Sequence, residues 1–315
     1  MKRIVVPLDG SELAEQALPL AARLAQLQGA QVLLLRGAPN PASLDLGTAV
    51  ELTRECAHEY LEQQAAAFEH RYGRRPLRRV LMEHAPDLVL FEARQPGVTA
   101  VVMSTHGRSG LKRLVTGSVA EHVVRMAPVP VYLVPAQAAA ALTHPQLRHI
   151  LVPLDGSQVA HAVLAPVAEL ARETRAEVIL LRIFGDGDGM DYAGESLIDM
   201  FARRPERLGG VASEYFHPIR EHLAAAGVPV TCAWNTGNAA DGILAAAPRM
   251  GADLIALGTH GRSGLDRLRH GSVAEQVLRH AAVPVMTFGH DALKRLAAGV
   301  SPLVDKRPGL IEAGG

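Results

Sequence analysis

Two aspartates stand at the ends of short apolar runs and are followed by Gly-Ser. Residues 4–11 read IVVPLDGS and residues 150–157 read ILVPLDGS, which places Asp9 and Asp155 in the same setting. A carboxylate just past the end of a buried strand lies at the mouth of a crevice, where it accepts from a sugar hydroxyl or helps to hold a metal ion. The alternative is local, with the carboxylate capping the helix that follows. Ser11 and Ser157 are available for that task, which favours a ligand role for the aspartates. A second constellation also occurs twice. Residues 106–121 read HGRSGLKRLVTGSVAE and residues 260–275 read HGRSGLDRLRHGSVAE, agreeing at thirteen of sixteen positions. They continue from Met103-Ser104-Thr105 and Leu257-Gly258-Thr259. Each ends on Gly-Ser, Gly117-Ser118 and Gly271-Ser272, with Glu121 and Glu275 completing a capping-box pattern at the start of a helix. Free N–H groups and the positive dipole end make such a terminus suited to phosphate, and a preceding glycine removes the Cβ that would block close approach. A turn and a cap would account for one such segment. A matched glycine cluster after a strand, written twice, points to phosphate binding.

Other residues in these segments carry less. Arg108 and Arg262 fit equally well as covers for phosphates or as solvated surface groups. His106 and His260 each precede a glycine and read as backbone-positioning hydrogen-bond groups, since no Ser, Cys or Asp is spaced to complete a triad with them. Several patterns are missing: G-x-x-x-x-G-K-[ST], and a G-x-G-x-x-G after the first strand of either repeat, which argues against a P-loop and a dinucleotide cofactor. Gly185–Gly189, alternating Gly and Asp, lacks the further acids of a calcium loop. His58 and His70 are too far apart on one helix to form a metal pair.

The elements that must position these residues are legible from the repeat. The offset is 146 at Asp9/Asp155 and 154 at His106/His260, so the second repeat has eight extra residues, placed near Phe184–Tyr192. A chain of 315 residues holding two such units is a tandem of domains, over 1–135 and 148–289, with a linker at 136–147 and a tail at 290–315. Short β-branched runs predict strands at 3–8, 31–35, 77–82, 98–103 and 131–134, then at 149–154, 177–183, 228–233, 252–257 and 284–288. Helices fill the first set of gaps at 11–28, 48–72, 86–95 and 114–126. Continuous apolar strands alternating with amphipathic helices predict an α/β fold: two tandem doubly wound, Rossmann-like domains, each with a five-stranded parallel sheet flanked by helices.

Composition sets the outer limits. The chain is 48% hydrophobic and carries 32 basic against 32 acidic residues, so it lacks the basic excess of a nucleic-acid or anionic-membrane binder. Its opening apolar run, cut by Pro7 and Asp9, is too short for a signal peptide, and no run of about 18 apolar residues suggests a membrane span. Two distant cysteines, Cys56 and Cys232, fit a reducing cytosol.

Two copies of V-P-L-D-G-S, each followed by G-x-x-G-x9-G-S or its near match, resemble the universal stress protein family in its tandem form, over nearly all of residues 2–289. The resemblance implies cytosolic α/β domains and, through the glycine motif, membership of the family's ATP-binding branch. In the second repeat it implies that Pro153, Leu154 and Asp155 meet the ribose side, that Ile183 packs on adenine, and that Gly237 lies near the ribose. It further implies that Leu257, Gly258, His260, Gly261, Arg262, Gly271 and Ser272 surround the phosphates, with backbone N–H groups from Val273 and Ala274. The first repeat offers Pro7, Leu8, Asp9, Met103, Ser104, His106, Gly107, Arg108, Gly117, Ser118, Val119 and Ala120. It departs at Ser104 for the first glycine, Gly37 for Ile183 and Glu83 for Gly237. Loss of an Ile-sized wall forfeits about 1–3 kcal/mol of base packing, so the second repeat is expected to bind more tightly. The resulting expectation is a nucleotide-dependent stress-response regulator that binds ATP, with magnesium near Asp155 entering only with the nucleotide. The resemblance also implies that the last strand of each repeat, apolar enough at 129–134 and 283–288, pairs the domains internally, and two chains are expected to pair again as a homodimer. A slow ATPase and a nucleotide-free interaction scaffold are the alternatives.

Overall fold

The computed structural model describes residues 1–37, 47–81, 85–105, 118–138, 145–185, 205–258, 272–289, 292–293 and 295–296. The first repeat contains β1 (Arg3–Pro7), α1 (Glu12–Glu15), α2 (Leu18–Gln28), β2 (Gln31–Gly37), α3 (Gly47–Tyr72), β3 (Leu77–Leu81), α4 (Ala85–Ala93), β4 (Val98–Ser104), α5 (Ser118–Met126) and β5 (Val131–Val134). In the second are β6 (His149–Pro153), α6 (Gln158–Ala162), α7 (Leu164–Thr174), β7 (Glu177–Phe184), α8 (Pro205–Ala225), β8 (Val230–Thr236), α9 (Ala239–Arg249), β9 (Leu254–Gly258), α10 (Ser272–His280) and β10 (Val285–Phe288). The helix expected over 11–28 is two helices. Pro19 enters α2 near its first turn, lacks an N–H, and its ring opposes the carbonyl four residues back. Pro166 divides α6 from α7 by the same means.

The strands form one sheet in the order β3-β2-β1-β4-β5-β10-β9-β6-β7-β8. Within each repeat every pairing is parallel, and β1 or β6 stands between strands reached by opposite crossovers. The repeats meet where β5 and β10 run antiparallel, with Val285 opposite Leu133 and Thr287 opposite Val131. Each expected five-stranded parallel sheet is therefore half of a continuous ten-stranded one.

The period of two divides the core into two layers. On one face Ile4, Val6, Tyr132, Met286 and Phe288 pack under α2, α3, α7 and α8. On the other Val5, Val131, Leu133 and Val285 pack under α4, α5, α9 and α10. Both layers run through the seam, so the repeats share apolar cores. Burying each Val, Leu or Ile contributes about 1.5–3 kcal/mol, which makes the seam a cohesive part of the fold.

Candidate functional site

The chain runs β1, β2, β3 outward on one side and then crosses to β4 on the other. The strand order reverses between β1 and β4, and likewise between β6 and β9. Ligands of open parallel sheets bind outside the carboxyl ends at such a reversal. Asp9 and Asp155 stand two residues past the ends of β1 and β6, while Ser104 and Gly258 end the adjacent β4 and β9. The described ends of the two sequence segments thus lie at the same reversal in each repeat.

Both aspartate turns are built alike. Ser11 N–H and Ser11 Oγ donate to Asp9 Oδ1 at 2.9 and 2.6 Å, and Ser157 N–H donates to Asp155 Oδ1 at 2.9 Å. Ser11 Oγ accepts from Ala14 N–H at 3.2 Å, and Ser157 Oγ from Ala160 N–H at 3.1 Å, so serine rather than aspartate caps the helix. Between them Gly10 and Gly156 take φ of +87° and +81°, a conformation that a Cβ disfavours. Each carboxylate is half-buried and fixed by its own turn.

The neighbouring residues divide by what they can offer. Leu8, Leu154, Met103 and Leu257 are buried, so their side chains belong to the core. Leu154 N–H donates to Leu181 O at 2.8 Å and its carbonyl accepts from Arg182 Nη1 at 3.2 Å. Pro7 and Pro153 are half-buried strand ends, and Ser104 is buried at the end of β4. Ser118 and Ser272 are the first residues of α5 and α10, with Val119 and Val273 half-buried and Ala120 and Ala274 buried just inside. Gly237 closes β8, its N–H donating to Phe184 O at 2.9 Å. His106, Gly107, Arg108, Gly117, His260, Gly261, Arg262, Gly271 and Glu83 lie outside the described residues, as do the insertion beyond Gly185, half of the linker and most of the tail.

Ile183 is only 8% exposed. A Cβ built on Gly242 of α9 would lie 2.8 Å from Ile183 Cδ1 and 3.0 Å from its Cγ1, so the helix runs directly over this side chain. The first repeat holds the opposite pair, Gly37 on β2 and Leu88 on α4. What the sequence suggested was a lost adenine wall is also an exchange of volume between strand and helix.

Beneath each aspartate turn lies a cluster that motif reasoning missed. In the second repeat His161 Nε2 is 2.8 Å from Tyr215 Oη, and the Arg182 guanidinium carbon is 5.4 Å from the Tyr215 ring and 5.3 Å from that of Phe184. Burial holds the His161 imidazole below the usual histidine range; Asp155 pulls it upward and Arg182 adds to the lowering. In the first, Tyr60 Oη donates to Glu15 Oε1 at 2.8 Å, Gln64 Nε2 donates to the same oxygen at 2.9 Å, and Arg36 sits 4.5 Å above the Tyr60 ring. Burial, then the bond to Glu15, raises the Tyr60 hydroxyl far above its ordinary value. Arg36 and Arg182 share the 146-residue offset of the aspartates, which is the signal that could have revealed them. Among the described residues no group of three or more His, Cys, Asp or Glu side chains is placed to hold a metal ion.

Comparison with known proteins gives the class. The model of the universal stress protein family matches residues 1–135 and again residues 146–288. A universal stress protein of Mycolicibacterium smegmatis is 26% identical over 295 residues, covering 90% of this chain and 95% of that protein. One from Mycobacterium tuberculosis is 30% identical over 193 residues, 59% of this chain; the chain spans 60% of that relative's length. Among solved structures, a universal stress protein from Archaeoglobus fulgidus has the same fold, with a TM-score of 0.66 at 20% identity over 91% of this chain and 98% of that one. The chain belongs to the universal stress protein family, as a tandem of two such units.

Proposed function

We propose that the protein is a nucleotide-dependent regulator whose second crevice takes an adenine nucleotide, with ATP the first candidate. One observation carries this reading. Asp155 lies two residues past the end of β6 and Gly258 ends the adjacent β9, on either side of the reversal in strand order, and the glycine-rich segment that leaves Gly258 leads to the N-terminus of α10. A fixed carboxylate suits the ribose hydroxyls, and a glycine-flanked helix start suits phosphate. Asp155, Gly258, Ser272 and the N–H groups of Val273 and Ala274 would hold the nucleotide. Magnesium enters only as the nucleotide's own counter-ion. The first crevice has the same turn at Asp9 but Ser104 in place of the first glycine, and binds more weakly. Binding at one hundred times the dissociation constant stabilises the bound form by about 2.7 kcal/mol, enough for the nucleotide level to act as a structural input.

Residues 1–135 and 148–289 act as the two domains. The protein works in the cytoplasm, a reading consistent with two cysteines that form no disulfide. As a homodimer it must use a surface other than β5 and β10, which already pair with each other. Light scattering on the purified chain measures that state.

Mass spectrometry of small molecules released on denaturing the purified chain, followed by titration calorimetry with ATP, tests the nucleotide reading. Asp155→Ala is expected to weaken ATP about 10- to 100-fold through loss of a charged hydrogen-bond acceptor. Equal affinity in wild type and Asp155→Ala, or no binding in either, overturns it.

A further inference from the structure

A second concave surface lies at the end of the sheet away from the aspartate turns. It is a groove of about 1090 Å³ where α2, the end of α3, the start of β2 and the turn before β3 meet. Its floor is apolar, with Ala25, Ala30, Val32 and Phe68 all buried. Its rim holds Arg23 of α2 and Arg71, Arg74 and Arg75 from the end of α3 and the turn that follows, and no acid is among the described lining residues. The four arginines differ in what holds them. Arg75 is committed to Glu62 and Glu69. Arg23, Arg71 and Arg74 make no ion pair with a described residue. Arg23 Nη1 donates to Gln26 Oε1 at 3.3 Å, but Arg23 Nε is buried without a hydrogen-bond partner. The Arg71 guanidinium carbon lies 5.6 Å from the Tyr72 ring centroid, and that ring lies 4.7 Å from the ring of Phe68. Burial, opposed by Arg71, raises the Tyr72 hydroxyl above its ordinary value, so it stays protonated and able to donate.

The charge of the groove is not a property of the fold. Both repeats turn from the long helix into the third strand on a glycine of positive φ, Gly73 at +70° and Gly227 at +75°. Around the second of these the chain reads Ala225-Ala226-Gly227-Val228-Pro229, with no charged residue, and Glu169 stands at the 146-residue offset from Arg23. The first repeat alone gathers arginines here.

We propose that this groove is a second binding site, for a small phosphorylated molecule, with Arg23, Arg71 and Arg74 on the phosphate oxygens and the Phe68–Tyr72 side against its apolar body. Like charges on one concavity repel, and a buried donor without a partner is unfavourable; a bound phosphate relieves both. The planar guanidinium fork matches phosphate oxygens in pairs, which a single ammonium does not. The volume stands at the upper end of clefts that take small molecules. The chain as a whole balances 32 basic residues against 32 acidic ones, so the basic patch is local and suits a compact ligand rather than a long polyanion. The site is separate from the proposed nucleotide crevices. Met1 and Gln31 line the groove at the amino ends of β1 and β2, whereas Asp9 lies beyond the opposite end of β1.

The test uses the full chain with pyrophosphate as the probe, followed by hydrogen exchange of the backbone amides. Pyrophosphate is expected to slow exchange across Phe68–Arg75. Protection confined to the aspartate turns and the start of α10 places the anion in the crevices alone and overturns the proposal. Arg71→Gln with Arg74→Gln removes two exposed charges and is expected to keep the thermal midpoint while weakening the probe at this site at least about tenfold. Adding Arg23→Gln is expected to remove the remaining protection of Phe68–Arg75. Unchanged protection in the folded double variant overturns the site. Phenyl phosphate against inorganic phosphate tests the apolar side: the phenyl ester is expected to bind about threefold or more tightly. Equal affinity overturns the assignment of an apolar body to the ligand. Protection of Phe68–Arg75 by a single-stranded oligonucleotide or an acidic peptide, with none from pyrophosphate or phenyl phosphate, overturns the small-molecule assignment.

Discussion

The two repeats preserve one backbone frame and differ in what their helices lay against it. Strand order, the Asp-Gly-Ser turns and the arginine–tyrosine pairs beneath them coincide. Three contacts do not. The first repeat buries Glu92 of α4 in an ion pair with Arg79 of β3, where the second has Ala246 and Ala233. Glu15 stands where the second has His161, and Gly37 with Leu88 replaces Ile183 with Gly242. Two of the three put an acid into the first repeat and a neutral group into the second. A duplicated fold can therefore keep its strand order and its aspartate turns while the side chains packed beneath them diverge in charge and volume.

The largest expected effect breaks this comparison at the ion pair of buried Glu92 with exposed Arg79. Glu92 is 0% exposed, and its Oε2 has no hydrogen-bond partner among the described residues. Arg79→Ala leaves that carboxylate uncompensated and is expected to cost about 3–5 kcal/mol. Arg79→Ala with Glu92→Ala copies the second repeat's alanines and is expected to recover most of the loss. Urea unfolding of the three proteins measures this. Equal stability of Arg79→Ala and wild type would show that the pair carries no structural weight.

An intermediate effect is expected at the seam, the one region that treats the repeats as partners. A Cβ on Gly289, just after β10, would lie 2.5 Å from Val124 O and 2.7 Å from Arg125 O at the end of α5. Backbone carbonyls cannot rotate away as a side chain does, so Gly289→Ala is expected to destabilise by about 1–3 kcal/mol and lower the thermal midpoint. An unchanged midpoint would mean that the repeats separate easily along β5 and β10.

Much of the frame was legible because it is written locally. Runs such as IVVPLDGS and ILVPLDGS contain strand, turn and cap within a few residues. The pairing of β5 with β10 was expected from the resemblance to the family, and the apolar composition of the two strands permits it. The break after Ala17 was hidden because the apolar periodicity runs through it, and a proline decides the matter. The clusters under the crevices were illegible for a different reason. Tyr60 lies 45 residues from Glu15 and Tyr215 lies 54 from His161, on helices whose spacing the insertion alters, so no motif contains both members. The adenine-facing role of Ile183 came from the resemblance alone, and its packing under Gly242 was illegible because that glycine is far away in sequence.

The smallest effect sharpens the comparison at that exchange of volume. Ile183→Val removes one methylene group from the contact under Gly242 and is expected to cost about 1 kcal/mol. Gly242→Ala brings two opposed terms: alanine favours the helix by about 1 kcal/mol, but its Cβ meets Ile183 at 2.8 Å. The single variant should therefore lie close to wild type. In the double variant the strand side chain is shorter and the helix side chain longer, a step toward the Gly37–Leu88 arrangement, and the 2.8 Å contact is removed, with Cγ1 left at 3.0 Å, while the helical gain remains. The double is thus expected to be more stable than the sum of the singles by about 0.5–1 kcal/mol. Additivity within a few tenths would mean that strand and helix do not constrain one another here, leaving Ile183 to be explained by the ligand alone.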